Sequence, residues 1–263
     1  ELVDSRIISL EMIGFTVLDE VAAMLDMGFE SQIRRLITMR GMPSNQSRQS
    51  MLCSAVFLPA IQALANSLLY DYVWVNAGSN GAAVDTVDQE LCWVSADEKP
   101  SALLDIISRK VDGKTLVFVR QSKEASEVLE LLRFAGQEAT CLHADMQQRD
   151  WERALQQFRE DRRDAVLIAA GVSGREVDVA DVQRVVNYDL PATVDDYMHR
   201  ISRIDHPGQR GMAVSLFVSR GGLRNDLAIG QDLCALLRRS GCAAGIPSGL
   251  EAEVSERLAW RGR

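Results

Sequence analysis

Short apolar, β-rich runs alternate with stretches of helical period along almost the whole chain, and this alternation restricts the fold more than any other feature of the sequence. The strand candidates are Phe15–Leu18, Ser50–Ser54, Tyr72–Val75, Glu90–Val94, Thr115–Val119, Ala139–His143, Ala165–Ala169, Arg184–Tyr188 and Met212–Val218. Between them lie helical periods such as Ser31–Met39, Leu58–Leu69, Ser101–Lys110, Lys123–Phe134, Gln148–Arg159 and Thr193–Arg203. Nearly all-apolar strands are buried on both faces, because neither side can meet water. Strands that alternate with helices are joined by right-handed crossovers. The expected architecture is therefore α/β, with parallel sheets and flanking helices.

The stretch Ala77-Gly78-Ser79-Asn80-Gly81-Ala82-Ala83 breaks the pattern with small residues and no period, and it reads as a linker. The three strand candidates and two helices in front of it make a poor free-standing domain. Residues 1–79 are therefore expected to be the C-terminal part of a first lobe that further chain or a partner completes. Residues 80–240 are expected to form a complete second lobe. Residues 241–263, rich in Gly and Ala and then charged, read as a loosely attached tail.

The net charge of −8 argues against a broad electrostatic grip on nucleic acid, since phosphate binding requires a basic face, but it is compatible with a local basic cleft. The five cysteines form no C-x-x-C pair. Cys53, Cys92 and Cys141 lie in apolar strand-like runs and read as buried free thiols of a reducing compartment. Leu58–Leu69 and Leu103–Ile107 read as core-facing helices, and Trp74 and Trp93 as buried strand aromatics. No run is long and apolar enough to span a bilayer. No signal peptide is recognisable, and the first residue is Glu1 rather than Met, so the true N-terminus stays open.

In open parallel sheets ligands bind beyond the carboxyl ends of the strands. Asp19 and Glu20 follow Phe15–Leu18, and two adjacent carboxylates at a strand end suit a hydrated Mg²⁺ and an attacking water. The same pair also serves as an acidic helix start. Ser54-Ala55-Val56 follows Met51–Cys53. The loop Ala170-Gly171-Val172-Ser173-Gly174-Arg175, then Asp178, follows Val166–Ala169; it suits either contact with phosphate or sugar, or a tight turn. Thr193 with Asp196 forms a capping-box pattern, so a helix starts there, and Pro207 stops it. His199, Arg203 and His206 then fall at i, i+4 and i+7 on one face with Arg200 beside them. That face fits a clamp for triphosphate oxygens or a solvated charged surface.

These pieces occur in an order that resembles the DEAD-box RNA helicase family, and within it the Ded1/Vasa-like branch. The likeness covers about residues 1–240. Leu18-Asp19-Glu20-Val21-Ala22 and Met24–Glu30 look like the D-E-A-D motif and the M-L-D-M-G-F-E run after it. Ser54-Ala55-Val56 sits where the family has S-A-T. Leu116–Val119 corresponds to the motif opening the second sheet. His143-Ala144-Asp145 to Gln148 is similar to H-G-D-x-x-Q. Arg175 and Asp178 match R-G-x-D, Asn187–Pro191 match N-Y-D-L-P, and His199–Arg203 match H-R-I-G-R.

The resemblance implies two RecA-like lobes, partial and complete respectively, with ATP, Mg²⁺ and RNA as ligands. It also allows ribonucleoprotein or helicase-regulating partners, and it implies no membrane. Cytosol or nucleus suits it, and an organelle is compatible. It implies that Asp19 holds Mg²⁺ through water and that Glu20 positions the attacking water. Asp178 holds the ribose, and Arg203 reaches the γ-phosphate with Arg200 and His206 beside it. Ser54 and His199 couple the lobes. Gln148, Ala170, Gly171 and Arg175 lie along the RNA backbone. The resemblance places the expected phosphate loop upstream of Glu1.

Several positions depart from the pattern. The fourth D-E-A-D residue is Ala22 and the S-A-T threonine is Val56. The motif-five threonine is Ala170, the glycine after Arg175 is Glu176, and the Q-x-x-R arginine is Trp151. His206 replaces the last arginine of H-R-I-G-R-x-x-R, and Asp205 the glycine immediately before that arginine. An arginine finger is worth about 10³–10⁵ in rate, and a histidine near neutral pH does not replace its permanent charge. Trp151 offers a stacking face in place of a phosphate contact. Two readings follow: an ATP-dependent RNA helicase with impaired hydrolysis, or a catalytically inactive pseudo-helicase that scaffolds RNA or ribonucleoprotein assembly.

Overall fold

The structure, a computed structural model, describes residues 2–26, 28–38, 41–54, 59–75, 87–160, 165–171, 179, 181–204, 211–218 and 225–261. The chain divides into two compact units, Glu1–Gly81 and Ala82–Arg263.

In the first unit, strands β1 (Phe15–Leu18) and β2 (Gln49–Leu52) pair in parallel, with Phe15 opposite Gln49 and Leu18 opposite Leu52. Helices α1 (Val21–Asp26), α2 (Glu30–Ile37) and α3 (Pro59–Leu68) cover one face. Their core is Val21, Ala22, Ile33, Ile61, Leu64 and Leu68, with Leu18 and Leu52 packed against it. The alternate side chains Phe15, Val17 and Met51 are exposed. The expected strand at Tyr72–Val75 does not form: those residues join no ladder among the described residues, and Val73 and Val75 are more than four-fifths exposed. An apolar run specifies a strand only when tertiary pairing and burial support it.

The second unit is a six-stranded, wholly parallel sheet. In chain order its strands are β3 (Val87–Trp93), β4 (Lys114–Val119), β5 (Ala139–His143), β6 (Val166–Ala170), β7 (Val182–Asn187) and β8 (Gly211–Phe217); in space the order is β3-β8-β7-β4-β6-β5. The central strands β4 and β6 are buried at every position. Period-two geometry sorts their side chains. Leu116, Phe118, Leu167, Val185 and Phe217 enter one core, and Val117, Val119, Ile168, Val186 and Leu216 enter the other. Helices α4 (Lys99–Ser108) and α5 (Ser122–Phe134) supply Leu103, Ile106, Val128 and Leu132 to the second core. The first core is closed by α6 (Gln148–Glu160), α7 (Val194–Ile201), α8 (Asn225–Arg239) and α9 (Leu250–Arg261). Each such side chain contributes roughly 1.5–3 kcal/mol by leaving water.

Buried cations cap helix ends in this unit. Lys114 Nζ donates to the carbonyls of Phe158 and Arg159 at the end of α6. Arg184 Nη1 donates to the carbonyls of Ile106 (2.5 Å) and Arg109 (2.8 Å) at the end of α4. Both satisfy carbonyls that the helix leaves unpaired. Burial lowers the Arg184 pKa to about 10, and the guanidinium stays charged at neutral pH.

Three sequence expectations are corrected. The segment 241–263 is no loose tail: Leu250 and Val254 of α9 are completely buried in the α8 core, and Arg238 pairs with Glu251 across the two helices. The spacing of Leu250, Val254 and Leu258 is an apolar helical stripe that the Gly- and Ala-rich preface conceals. Trp74 and Trp93 are partly exposed, because Trp74 lies outside any sheet and Trp93 ends an edge strand. Cys53, just past the end of β2, is exposed, whereas Cys92 and Cys141 are half-buried and burial raises the pKa of both thiols.

Candidate functional site

At the carboxyl end of β1 the chain turns sharply. Glu20 takes φ 52°, a left-handed conformation that costs a non-glycine residue roughly 1–3 kcal/mol, and its N–H donates to Asp19 Oδ1 at 2.9 Å. The turn is held because Cys53 N donates to the Leu18 carbonyl (2.8 Å) and Val21 N to the Cys53 carbonyl (3.1 Å). Asp19 is thereby left exposed at the rim, with Glu20 half-buried beside it. A single exposed carboxylate suits Mg²⁺ that arrives on nucleotide phosphates, because that ion keeps most of its waters. The Ser54 hydroxyl, one residue past Cys53, is buried without a hydrogen-bond partner among the described residues. Ala22, at the fourth motif position, points into the apolar core of its unit.

In the second unit, Thr193 caps α7 as its sequence requires: its Oγ1 accepts from Asp196 N at 3.1 Å and donates to Asp196 Oδ2 at 2.9 Å. The α-helix ends at Ile201 and tightens to a 3₁₀ turn over Ser202–Ile204. His199 is buried and Arg203 half-buried. The Arg203 guanidinium turns back along its own helix, with Nε to the His199 carbonyl (3.3 Å) and Nη2 to Ser202 Oγ (3.2 Å).

Arg200, expected beside the triphosphate, is engaged inside the second unit. Its Nη1 donates to Asn187 Oδ1 (3.0 Å) and to the Asp189 carbonyl (2.7 Å), and the guanidinium lies over the Phe118 ring. Burial lowers its pKa to about 10, so it remains charged. It is a core cation that ties α7 to the ends of β4 and β7.

At the carboxyl ends of β4, β5 and β6, Val119, His143 and Ala170 lie in register. Ala170 is completely buried, so contact with a ligand at this strand end falls to the next residue. Gly171 is exposed at φ 62°, and a Cβ there would lie 3.8 Å from the Ala144 side chain. Gln148, exposed at the start of α6, hydrogen-bonds Glu152 at 2.9 Å. Trp151 packs half-buried on the core rather than standing free as a stacking platform. Arg175, Asp178 and His206, with Val56, Glu176 and Asp205, lie outside the described residues.

A cluster at the ends of β4 and β7 escaped the sequence reading. Lys99 pairs with Asp189 Oδ1 and sits 4.3 Å above the Tyr188 ring, while Asp189 Oδ2 accepts the Arg120 N–H at 2.9 Å. Asp226 Oδ2 accepts from Val218 N at 3.1 Å. Burial first, then the Asp189 carboxylate, raises the pKa of Glu124; burial likewise raises that of Asp226. Asp189 is visible in the sequence within Asn187–Pro191, but nothing there links it to Lys99.

Residues 98–208 match the family described as helicase conserved C-terminal domain. The chain is also similar to solved DEAD-box structures. A variant of S. cerevisiae Dbp5 bound to RNA and ADP BeF3 is 27% identical, with TM-score 0.74 over 99% of this chain and 66% of that one. A Dbp5 variant bound to a Gle1 variant and IP6 is 29% identical, with TM-score 0.67 over 91% of this chain and 59% of that one. A DEAD box protein from the hyperthermophile Methanococcus jannaschii is 26% identical, with TM-score 0.55 over 91% and 61%. The chain therefore spans less than two thirds of these structures. The second unit is a RecA-like helicase C-terminal lobe. More particularly, the chain has the fold of the DEAD-box RNA helicases. Among the described residues no helix is long and apolar enough to cross a membrane.

Proposed function

We propose that this chain belongs to an ATP-dependent RNA-remodelling protein of the DEAD-box type, in its Ded1/Vasa-like branch, whose ATP hydrolysis is impaired. The observation that carries the reading is the contrast at one turn: Asp19 stays exposed at the β1 rim while Ala22, one helical turn on, is buried in apolar core. The metal-holding and water-positioning carboxylates persist, and the polar group expected at the fourth position is gone. ATP with Mg²⁺ supplies the phosphoanhydride bond to be broken. Asp19 binds the metal's water shell and Glu20 orients the attacking water. Asp178 holds the ribose, and Arg203 offers its guanidinium to the developing phosphate charge. Gln148, Gly171 and Arg175 lie along the RNA backbone, with His206 a weak substitute for a second arginine. RNA is the expected partner, with a regulatory or ribonucleoprotein component beside it.

A second reading, an inactive pseudo-helicase that scaffolds RNA or ribonucleoprotein assembly, is favoured by one observation. The Arg203 guanidinium is engaged by its own helix at His199 and Ser202.

Anisotropy of a labelled single-stranded RNA, titrated with the full-length protein with and without ADP·BeF3, separates them. The helicase reading expects the analogue to tighten RNA binding at least about tenfold. RNA affinity indifferent to the analogue contradicts it and leaves the scaffold.

A further inference from the structure

Beyond β4, β7 and β8 the second unit holds a cavity of about 400 Å³. Its walls come from the turn before α4, the ends of those three strands, one face of α5 and the start of α8. This volume is at the small end of ligand pockets, and the place is where open parallel sheets bind ligands. We propose that it receives an arginine or lysine side chain of a partner polypeptide, so that this lobe docks a basic, amphipathic segment.

The charge lining it argues for a cation. Glu124, Glu127, Asp189 and Asp226 face Lys99 and Arg120. Lys99 is committed to Asp189, and Arg120 stands 3.9 Å from Asp226. Lys123 reaches Glu127 only at 3.7 Å on the open surface, where such a pair contributes little. Among the described residues of the wall two carboxylates therefore remain in excess. Burial first, and then the Asp189 carboxylate, hold the pKa values of Glu124 and Asp226 up, although Lys99 opposes the shift at both and Arg120 at Asp226. The remaining titratable wall residue, Tyr188, has a pKa raised to about 12 and is neutral. The excess acid repels phosphate, which disfavours RNA as the occupant.

The apolar part of the wall argues for a polypeptide rather than a small cation. Val128 and Leu131 continue the groove along α5, and Phe134, three residues further on the same helix, is 96% exposed. A segment with a basic residue in the pocket and an apolar residue beside it covers both.

The test is anisotropy of a dye-labelled peptide, acetyl-Ala-Leu-Arg-Ala-Leu-Ala-amide, against the whole chain. The peptide binds, and Glu127→Lys and Glu124→Gln each weaken it at least about tenfold. Phe134→Ser weakens it severalfold, and the peptide with glutamate for arginine does not bind. Affinity rises as pH climbs above the ordinary carboxylate range and through the raised values at which Glu124 and Asp226 ionise. Glu127 is exposed, so its variant folds even if the Glu124 change disturbs α5. No binding, or equal binding to the wild type and Glu127→Lys, overturns the proposal. Equally tight binding of free arginine amide overturns the polypeptide assignment. Displacement of the peptide from the pocket by single-stranded RNA assigns the cavity to RNA and also overturns it.

Discussion

The guanidinium of Arg200 lies 4.7 Å from the centre of the Phe118 ring. With Asn187 and the Asp189 carbonyl on its edge, that cation has all its strong interactions inside the lobe. The basic run of α7 and the turn after it therefore holds two kinds of arginine: Arg200 ties the lobe together, and Arg203, half-buried, folds back onto His199 and Ser202.

Replacing Arg200 by alanine removes the donor to the Asn187 side-chain oxygen and the Asp189 carbonyl in the interior. Arg200→Ala should lower the unfolding free energy by about 3 kcal/mol, and Arg200→Lys, which keeps charge but loses the planar fork, by about 1.5 kcal/mol. Urea unfolding followed by circular dichroism checks both. A change under about 0.5 kcal/mol for Arg200→Ala would place this residue outside the core.

The helix pair α8–α9 should be a fixed part of the second unit. Leu250→Ala creates a cavity in a fully packed core and should cost about 2–5 kcal/mol. Gly245→Ala should also destabilise, because a Cβ there would sit 2.0 Å from the Gln89 carbonyl oxygen and force the backbone apart. Hydrogen exchange along α9 gives an independent view: protection comparable to α8 is expected, and free exchange would mean a detached segment.

Stability should carry a pH signature from Glu124 and Asp226. Their folded pKa values are raised above the unfolded ones, so the stability they confer is full below the ordinary carboxylate pKa near about 4 and is lost as pH climbs through the raised values. Exposed Glu98 and Glu251 are shifted down and act in the opposite sense, so the comparison is between variants. Glu124→Gln and Asp226→Asn should each flatten the fall in unfolding midpoint from mildly acidic to neutral pH. A slope identical to the wild type would remove these groups from the account.

Where burial follows from period alone, the sequence was transparent. Ala139–His143 is read at its observed limits, and Thr115–Val119 and Lys123–Phe134 to within one residue. The Thr193–Asp196 cap is equally plain, being a local hydrogen bond between residues three apart. What failed depends on distant partners. Tyr72–Val75 has the composition of a strand but joins neither β1 nor β2. Arg200 sits in a basic run, yet its partners are the aromatic Phe118 and the ends of neighbouring strands. The Lys99–Asp189 pair joins residues ninety apart, which no local pattern encodes. At the candidate site, Asp19 and Glu20 were legible because strand-end carboxylates are a local signature. The withdrawal of Arg203 onto His199 was not, because it depends on a change of helical pitch at Ser202.

RNA-stimulated ATP hydrolysis by the full-length protein, measured beside Glu20→Gln and His206→Arg, tests the central claim most directly. The account predicts slow turnover that vanishes in Glu20→Gln, since no water is then positioned, and that rises in His206→Arg, where a permanent fork of donors returns. Hydrolysis that is the same in the wild type and Glu20→Gln would contradict it.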